Sequence, residues 1–357
     1  MPECHVLSDV ALAAFGKRGE FATQCVVYFY IGGVTVIFHL TSAQAVASVA
    51  NGADVCSVLW SVLVGVVVLM FMQIRDIHEI GGLALVGAVS IFVPLIIILV
   101  QLITAGSSVS DDKAIDDYDD ETRIVGRIDS SSFVTMGVGF MDIIFAFAGQ
   151  VIFMELQSGM KNPAEFPKAV KLSSFVMVTS YTVAAGVAYS TIGSAILING
   201  DPMTSDLAKG TSLYVVNFFL AVHVMIAYVI EGNVLARGVL KMLKMDSFVD
   251  GNTVTDRMAW FGTTVAIVFG AFILSNVVPF FSDLMGLMGA LCAILLTYTV
   301  PIACATKLLP MEKIERRFAF CFLPFSLLVG AAGTACSVLD ILTRLSEVSK
   351  KAPFSCS

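Results

Sequence analysis

The sequence predicts an all-α integral membrane protein of about nine transmembrane helices, and three observations predict it. Apolar residues make up 57% of the 357-residue chain and charged residues only 14%, whereas soluble domains average about half and a quarter. Stretches of twenty or more residues run nearly without charge, too continuous for a soluble core, which needs a polar outer face. Lysine and arginine gather in alternate connections, the pattern of loops held on the cytoplasmic side.

In chain order the expected spans are roughly 21–49, 55–74, 80–104, 132–157, 169–198, 212–236, 258–281, 283–306 and 318–343. At 1.5 Å per residue each can cross a hydrocarbon core of about 30 Å. The lead MPECHVLSDVALAAFGKRGE (1–20) has no basic start before an apolar stretch, so it does not read as a signal peptide. The net charge of -7 comes mostly from residues 107–131, SSVSDDKAIDDYDDETRIVGRIDSS, where eight acids meet three bases. That composition reads as a solvated loop.

With the amino terminus in the cytoplasm, the inside segments carry Lys17, Arg18, Arg75, Lys161, Lys168, Arg237, Lys241, Lys244, Arg257, Lys307, Lys313, Arg316 and Arg317. With Lys171 just past a boundary, that is fourteen of the 21 lysines and arginines. The bias fits a cytoplasmic amino terminus, and nine crossings leave the carboxyl terminus outside. The eight cysteines show no CxxC or Cys/His spacing and most lie within spans, where cysteine behaves as a small hydrophobe. No metal site is expected, and spacing alone fixes no disulfide.

Ionisable groups at membrane depth cost at least about 2.5–3.5 kcal/mol on insertion scales and so face a cavity or a partner. His39, Asp142, Glu155, His223, Glu231 and Asp283 are the candidates, with His223 near the middle of its span. Residues 132–157 also hold Gly137, Gly139 and Gly149, the last between Ala148 and Gln150. Glycine here has two readings. It lets membrane helices pack closely, or it marks a helix that breaks within the bilayer and offers freed backbone groups to a polar ligand. Context favours the break, because MELQSGMKNPAEFPKAV follows, with Pro163 and Pro167 ending one helix and starting the next and lysines marking the cytoplasmic exit. Glu155, one to two turns above that exit, is placed to pair with a base or to relay a proton.

These residues carry a family resemblance. FMDIIFAFAGQVIFMELQSGMKNPAEFPKAV resembles the signature region of the amino acid/auxin permease family, an aromatic-rich FAF followed by AG, an E-I-Q-like triplet and an NP…FPKA turn. Asp142, Phe145, Phe147, Gly149, Glu155 and Gln157 fall on matching positions, and Gln150 stands where many members carry histidine. VVNFFLAVHVMIAYVIEGNVLARGVL (215–240) looks like the family's eighth helix, carried by Asn217, His223 and Tyr228. VPFFSDLMGLMGALCAILLTYTVP resembles its tenth.

The resemblance implies a leucine-transporter-type fold of two inverted five-helix repeats, with a substrate site at broken helices. The span at 21 then corresponds to the family's third, after a GKRG-like turn at Gly16–Gly19. The chain therefore reads as lacking the first two helices, with 21–104 completing the first repeat, 132–306 forming the second, and 307–357 the last span and tail. The implied function is secondary active transport of an amino acid, by symport with a proton or sodium ion. Phe145, Ala146, Phe147, Ala148, Gly149 and Gln150 are expected to form the substrate site, with His223 or Tyr228 opposite and the stretch around Tyr28 to Thr35 completing the wall. The alternative, prompted by the missing hairpin, is a non-transporting membrane receptor, a regulator or an incomplete product. No nucleophile elbow, phosphate loop or metal cluster speaks for an enzyme, and no cofactor or nucleic-acid partner is expected. No Asn-x-Ser/Thr sequon is present, which leaves plasma membrane and vacuolar or lysosomal membrane both open.

Overall fold

Backbone amides and carbonyls within lipid must be paired inside their own segment, and the chain meets that demand with helices. In the computed structural model, the described residues are 6–50, 56–75, 77–105, 132–158, 160–192, 210–245, 247–251, 253–278 and 281–348. Helix α1 is Leu7–Val49, α2 Ser57–Phe71, α3 Ile77–Ala105, α4 Ser132–Ala146, α5 Phe153–Ser158, α6 Phe166–Ile192, α7 Thr211–Met242, α8 Ser247–Asp250, α9 Val254–Val277, α10 Phe281–Met288, α11 Val300–Leu308 and α12 Lys313–Val348. Among the described residues, eight helical stretches are long and apolar enough to cross a membrane, and α2, at fifteen residues, is a shorter apolar helix. The expected acidic loop, the last residues of the tail and the side chain of Glu155 lie outside the described residues.

Three local features shape these elements. Helix α1 starts within the expected cytoplasmic lead and turns sharply at Gly16, whose φ of 70° and ψ of -166° suit only glycine. Proline at 94 and 324 sits inside α3 and α12, a placement that membrane helices tolerate where neighbours or side chains re-satisfy the freed groups. Between α10 and α11 the helix widens to π geometry over Gly289–Ala293 and Leu295–Thr299.

The chain divides into two compact units: Met1–Tyr30, Asp129–Tyr181 and Ser282–Thr343 form the first, and Ile31–Ile128, Thr182–Phe281 and Arg344–Ser357 the second.

The first unit is packed along a seam of small residues. A Cβ on Gly289 would lie 2.4 Å from the Met141 carbonyl oxygen, one on Gly333 2.4 Å from Met141 Sδ, and one on Gly137 2.6 Å from Cys336 Sγ. Glycine at these points brings α4 against the π segment and α12, as small residues do at membrane helix interfaces. Met141, Ala290 and Ile294 form the apolar centre of that contact.

The second unit is built on α2, α3, α7, α9 and the later part of α1. Trp260 is fully buried and donates from Nε1 to the Met72 carbonyl at 3.0 Å. The guanidinium carbons of Arg75 and Arg237 lie 5.3 and 5.8 Å from the centroid of its ring, within cation–π range. Arg75 also donates to the Gly251 carbonyl at 3.1 Å, and Asn233 to the Ile74 carbonyl at 3.1 Å. The short connection after α2 is thus tied to α7 and α9 by side chains that satisfy its carbonyls. On the outward faces stand Leu85, Val89, Phe92, Ile96 and Ile103, all exposed, so α3 meets its solvent with hydrocarbon.

Candidate functional site

The site starts from the end of α4. The helical ladder closes with Phe147 N donating to Ile143 O at 3.3 Å and Ala148 N donating to Phe145 O at 3.0 Å. Phe147 and Ala148 lie in no helix, and the chain resumes as a 3-10 turn over Gly149–Ile152 before α5. Ala148, at φ -86° and ψ 23°, supplies the bend. Such an interruption leaves the last carbonyls of one helix and the first amides of the next outside either ladder, which within a membrane is tolerated only where the backbone is buried in protein or lines a cavity.

A Cβ built on Gly149 meets nothing within 4 Å. The residue is exposed, so the space beside the break is open. This separates Gly149 from Gly137, Gly289 and Gly333, whose missing Cβ is needed for packing. Both sequence readings of glycine therefore apply in this region, to different residues.

The surroundings of the break are aromatic and weakly polar. The Phe145 ring lies 5.9 Å from Tyr30, and the Phe147 ring lies 5.4 Å from Tyr181. Thr297, in the π segment, donates to Gln150 Oε1 at 3.4 Å. Widening of a helix to π geometry moves its side chains out of α register, and π-bulges occur frequently at functional sites. Ala146 is exposed, Ala148 buried and Tyr28 half-buried in α1. Tyr30 falls within the stretch expected to complete the wall, whereas Tyr181 and Thr297 were not expected at the site. Each sits on another element, and only packing brings it to the break.

His223 and Tyr228 belong to the second unit, where both polar ends are engaged. His223 Nδ1 lies 2.7 Å from the Gly87 carbonyl, and since a carbonyl only accepts, Nδ1 carries the proton. Tyr228 is fully buried, with its hydroxyl 3.2 Å from His39 Nδ1. His39 Nε2 meets Ser61 Oγ at 2.9 Å, and Asn276 donates to the same oxygen at 3.0 Å. His39, also fully buried, thus sits in a chain of hydrogen bonds from Asn276 to Tyr228. Networks of this kind specify one arrangement of a core when all members are satisfied. Among the described residues no group of three or more His, Cys, Asp or Glu side chains is placed to hold a metal ion.

A multi-helix membrane protein with a helix interrupted along its length has the discontinuous-helix form that recurs among membrane transporters. The family is specific: the model described as transmembrane amino acid transporter protein matches residues 7–341, and the chain belongs to that family. It is similar to the N amino acid transport system protein of Neurospora crassa, at 21% identity, with 100% of this chain and 76% of the relative covered. Amino acid transporter AVT1B of Arabidopsis thaliana is 20% identical over 98% of this chain and 61% of its own length. A transmembrane transporter of Fusarium pseudograminearum is 24% identical over 81% and 59%. The chain spans about 60% of the length of the first of its curated relatives.

Proposed function

We propose that the protein is a secondary carrier of an amino acid, coupled to a proton or sodium ion, and that it grips its substrate at residues 145–150. The observation that carries this reading is the interrupted ladder at Phe147–Ala148 beside the open space at Gly149. An amino acid brings an ammonium and a carboxylate, and both need partners of fixed direction once water is stripped away. The last carbonyls of α4 suit the ammonium, the first amides of the 3-10 turn suit the carboxylate, and helix-end dipoles reinforce both. Phe145 and Phe147 then form an apolar wall for the side chain. Alternating access follows from a shift between two arrangements of helices around that point.

For orientation, we propose a cytoplasmic amino terminus in a plasma or vacuolar-type membrane. One observation supports it: basic residues concentrate in the inside segments.

The test is uptake of labelled amino acids by the full chain in liposomes, wild type against Gly149→Val. Because a Cβ there meets nothing, the variant is expected to fold and insert as wild type does. Its branched side chain fills the substrate space and lowers uptake at least about tenfold, equivalent to ~1.4 kcal/mol. Equal uptake by both proteins would remove the site from this segment, and absence of saturable uptake by wild type for any amino acid would defeat the carrier reading itself.

A further inference from the structure

We propose that Asp142, held by Ser282 and facing Ser337, is the proton-carrying site of this protein, one helical turn before the interrupted segment. The proposal deepens the carrier reading above and rests on it for the word carrier alone; the protonation site has its own readout.

Asp142 is the tenth residue past Ser132, the start of α4. At 1.5 Å per residue it lies about 15 Å along the helix, near the middle of a core of about 30 Å. Its Oδ2 accepts a hydrogen bond from Ser282 Oγ, on α10, at 2.6 Å. Its Oδ1 is buried without a hydrogen-bond partner, and so is Ser337 Oγ on α12, a residue with no solvent exposure. The two orphan atoms converge. A Cβ on Gly286 would lie 3.4 Å from Asp142 Oδ1 and 3.2 Å from Ser337 Oγ, so the glycine keeps clear the one notch that both oxygens face.

A proton suits this arrangement better than a metal ion. An ionised carboxylate only accepts, whereas a neutral carboxyl has one O–H to give. The Ser337 hydroxyl can donate to Oδ1 in the first state and accept from it in the second, so each protonation state finds a partner, directly or through one water. A hard cation instead takes about six or more oxygens, more than Oδ1 and two hydroxyls provide. The titratable neighbours are Asp283, beside Ser282, and Asp340, one turn past Ser337, each with interactions of its own. Neither α4 nor α10 carries a lysine, arginine or histidine, and the bases of α12 stand towards its ends, at Lys313, Arg316, Arg317 and Arg344. In the cycle only an O–H bond is exchanged: a proton from the outer aqueous phase binds Oδ1, travels with the site as access alternates, and leaves to the cytoplasmic phase.

The experiment is infrared difference spectroscopy of the full chain in liposomes on stepping the pH, with D142N and S337A, paired with transport driven by a pH gradient or a sodium gradient. The expected result is a carboxyl C=O band that is lost in D142N and moves to higher frequency in S337A, where an acceptor is missing. The ratio of pH-driven accumulation to substrate exchange falls at least tenfold in D142N. Thermal unfolding of both variants near wild type ties these changes to the site. Wild-type carboxyl bands persisting in D142N, an unchanged transport ratio, or a sodium-driven accumulation that D142N abolishes would each overturn the proposal. A wild type with the Asp142 band but without amino acid exchange keeps the protonation site and sinks the carrier reading alone.

Discussion

Gly289→Ala probes the packing that supports the interrupted helix. The added Cβ would sit 2.4 Å from the Met141 carbonyl oxygen, 3.1 Å from the Met141 carbonyl carbon and 3.4 Å from Phe145 Cβ. Carbon and oxygen approach to about 3.3–3.6 Å in favourable contacts, so the shortfall is about 1 Å. The atom in the way is backbone in the middle of α4 and cannot rotate aside, so a helix must move. Overpacking of this kind costs about 1–3 kcal/mol. At roughly 2–4 °C per kcal/mol for chains of a couple of hundred residues, the unfolding midpoint falls by about 2–12 °C. A thiol-reactive dye reads this well, because Cys292, Cys304 and Cys336 are free and buried in the same unit. The control is Gly139→Ala in α4, where a Cβ meets nothing within 4 Å and removal of a helical glycine gains about 0.5–1 kcal/mol. The two substitutions should shift the midpoint in opposite directions. Identical midpoints for both would refute the close contact between α4 and the π segment.

Three other outcomes are expected. Gly16→Ala, at a positive φ with free space around it, costs about 1–3 kcal/mol through backbone strain alone; a variant as heat-stable as wild type would show that α1 does not turn there. Lys244, two residues past α7 at φ 58°, occupies the left-handed position that helix ends usually give to glycine, so Lys244→Gly should raise the midpoint by the equivalent of up to about 1 kcal/mol, and a lower midpoint would contradict that conformation. Trp260→Phe leaves the Met72 carbonyl without its donor and weakens two cation–π contacts, a loss of about 1–3 kcal/mol. The check is chemical unfolding followed by the remaining tryptophan, Trp60, and no change in midpoint would mean that the cluster around Trp260 contributes nothing.

Much of the architecture is legible in the chain because a membrane imposes rules one segment at a time. Length without charge makes a span, and the interruption after Phe145–Ala146 is announced by Gly149 and the prolines that follow. Each of these signals involves residues adjacent in sequence. The reach of α1 back to Leu7 was hidden because its turn rests on one dihedral angle at Gly16. The π segment was hidden because apolar residues fill α and π geometry alike.

By itself, then, the sequence determined the solvent, the helices, the family and the place where one helix stops. The tertiary structure alone decided which faces meet. It brought Ser282 and Ser337 to Asp142 from 140 and 195 residues away, and joined His39 to Tyr228 through one hydrogen bond and to Asn276 through Ser61. The physical reason is that lipid rewards every apolar face alike, so periodicity fixes that a residue is in a span, while only the close approach of helices at their small residues fixes what it faces.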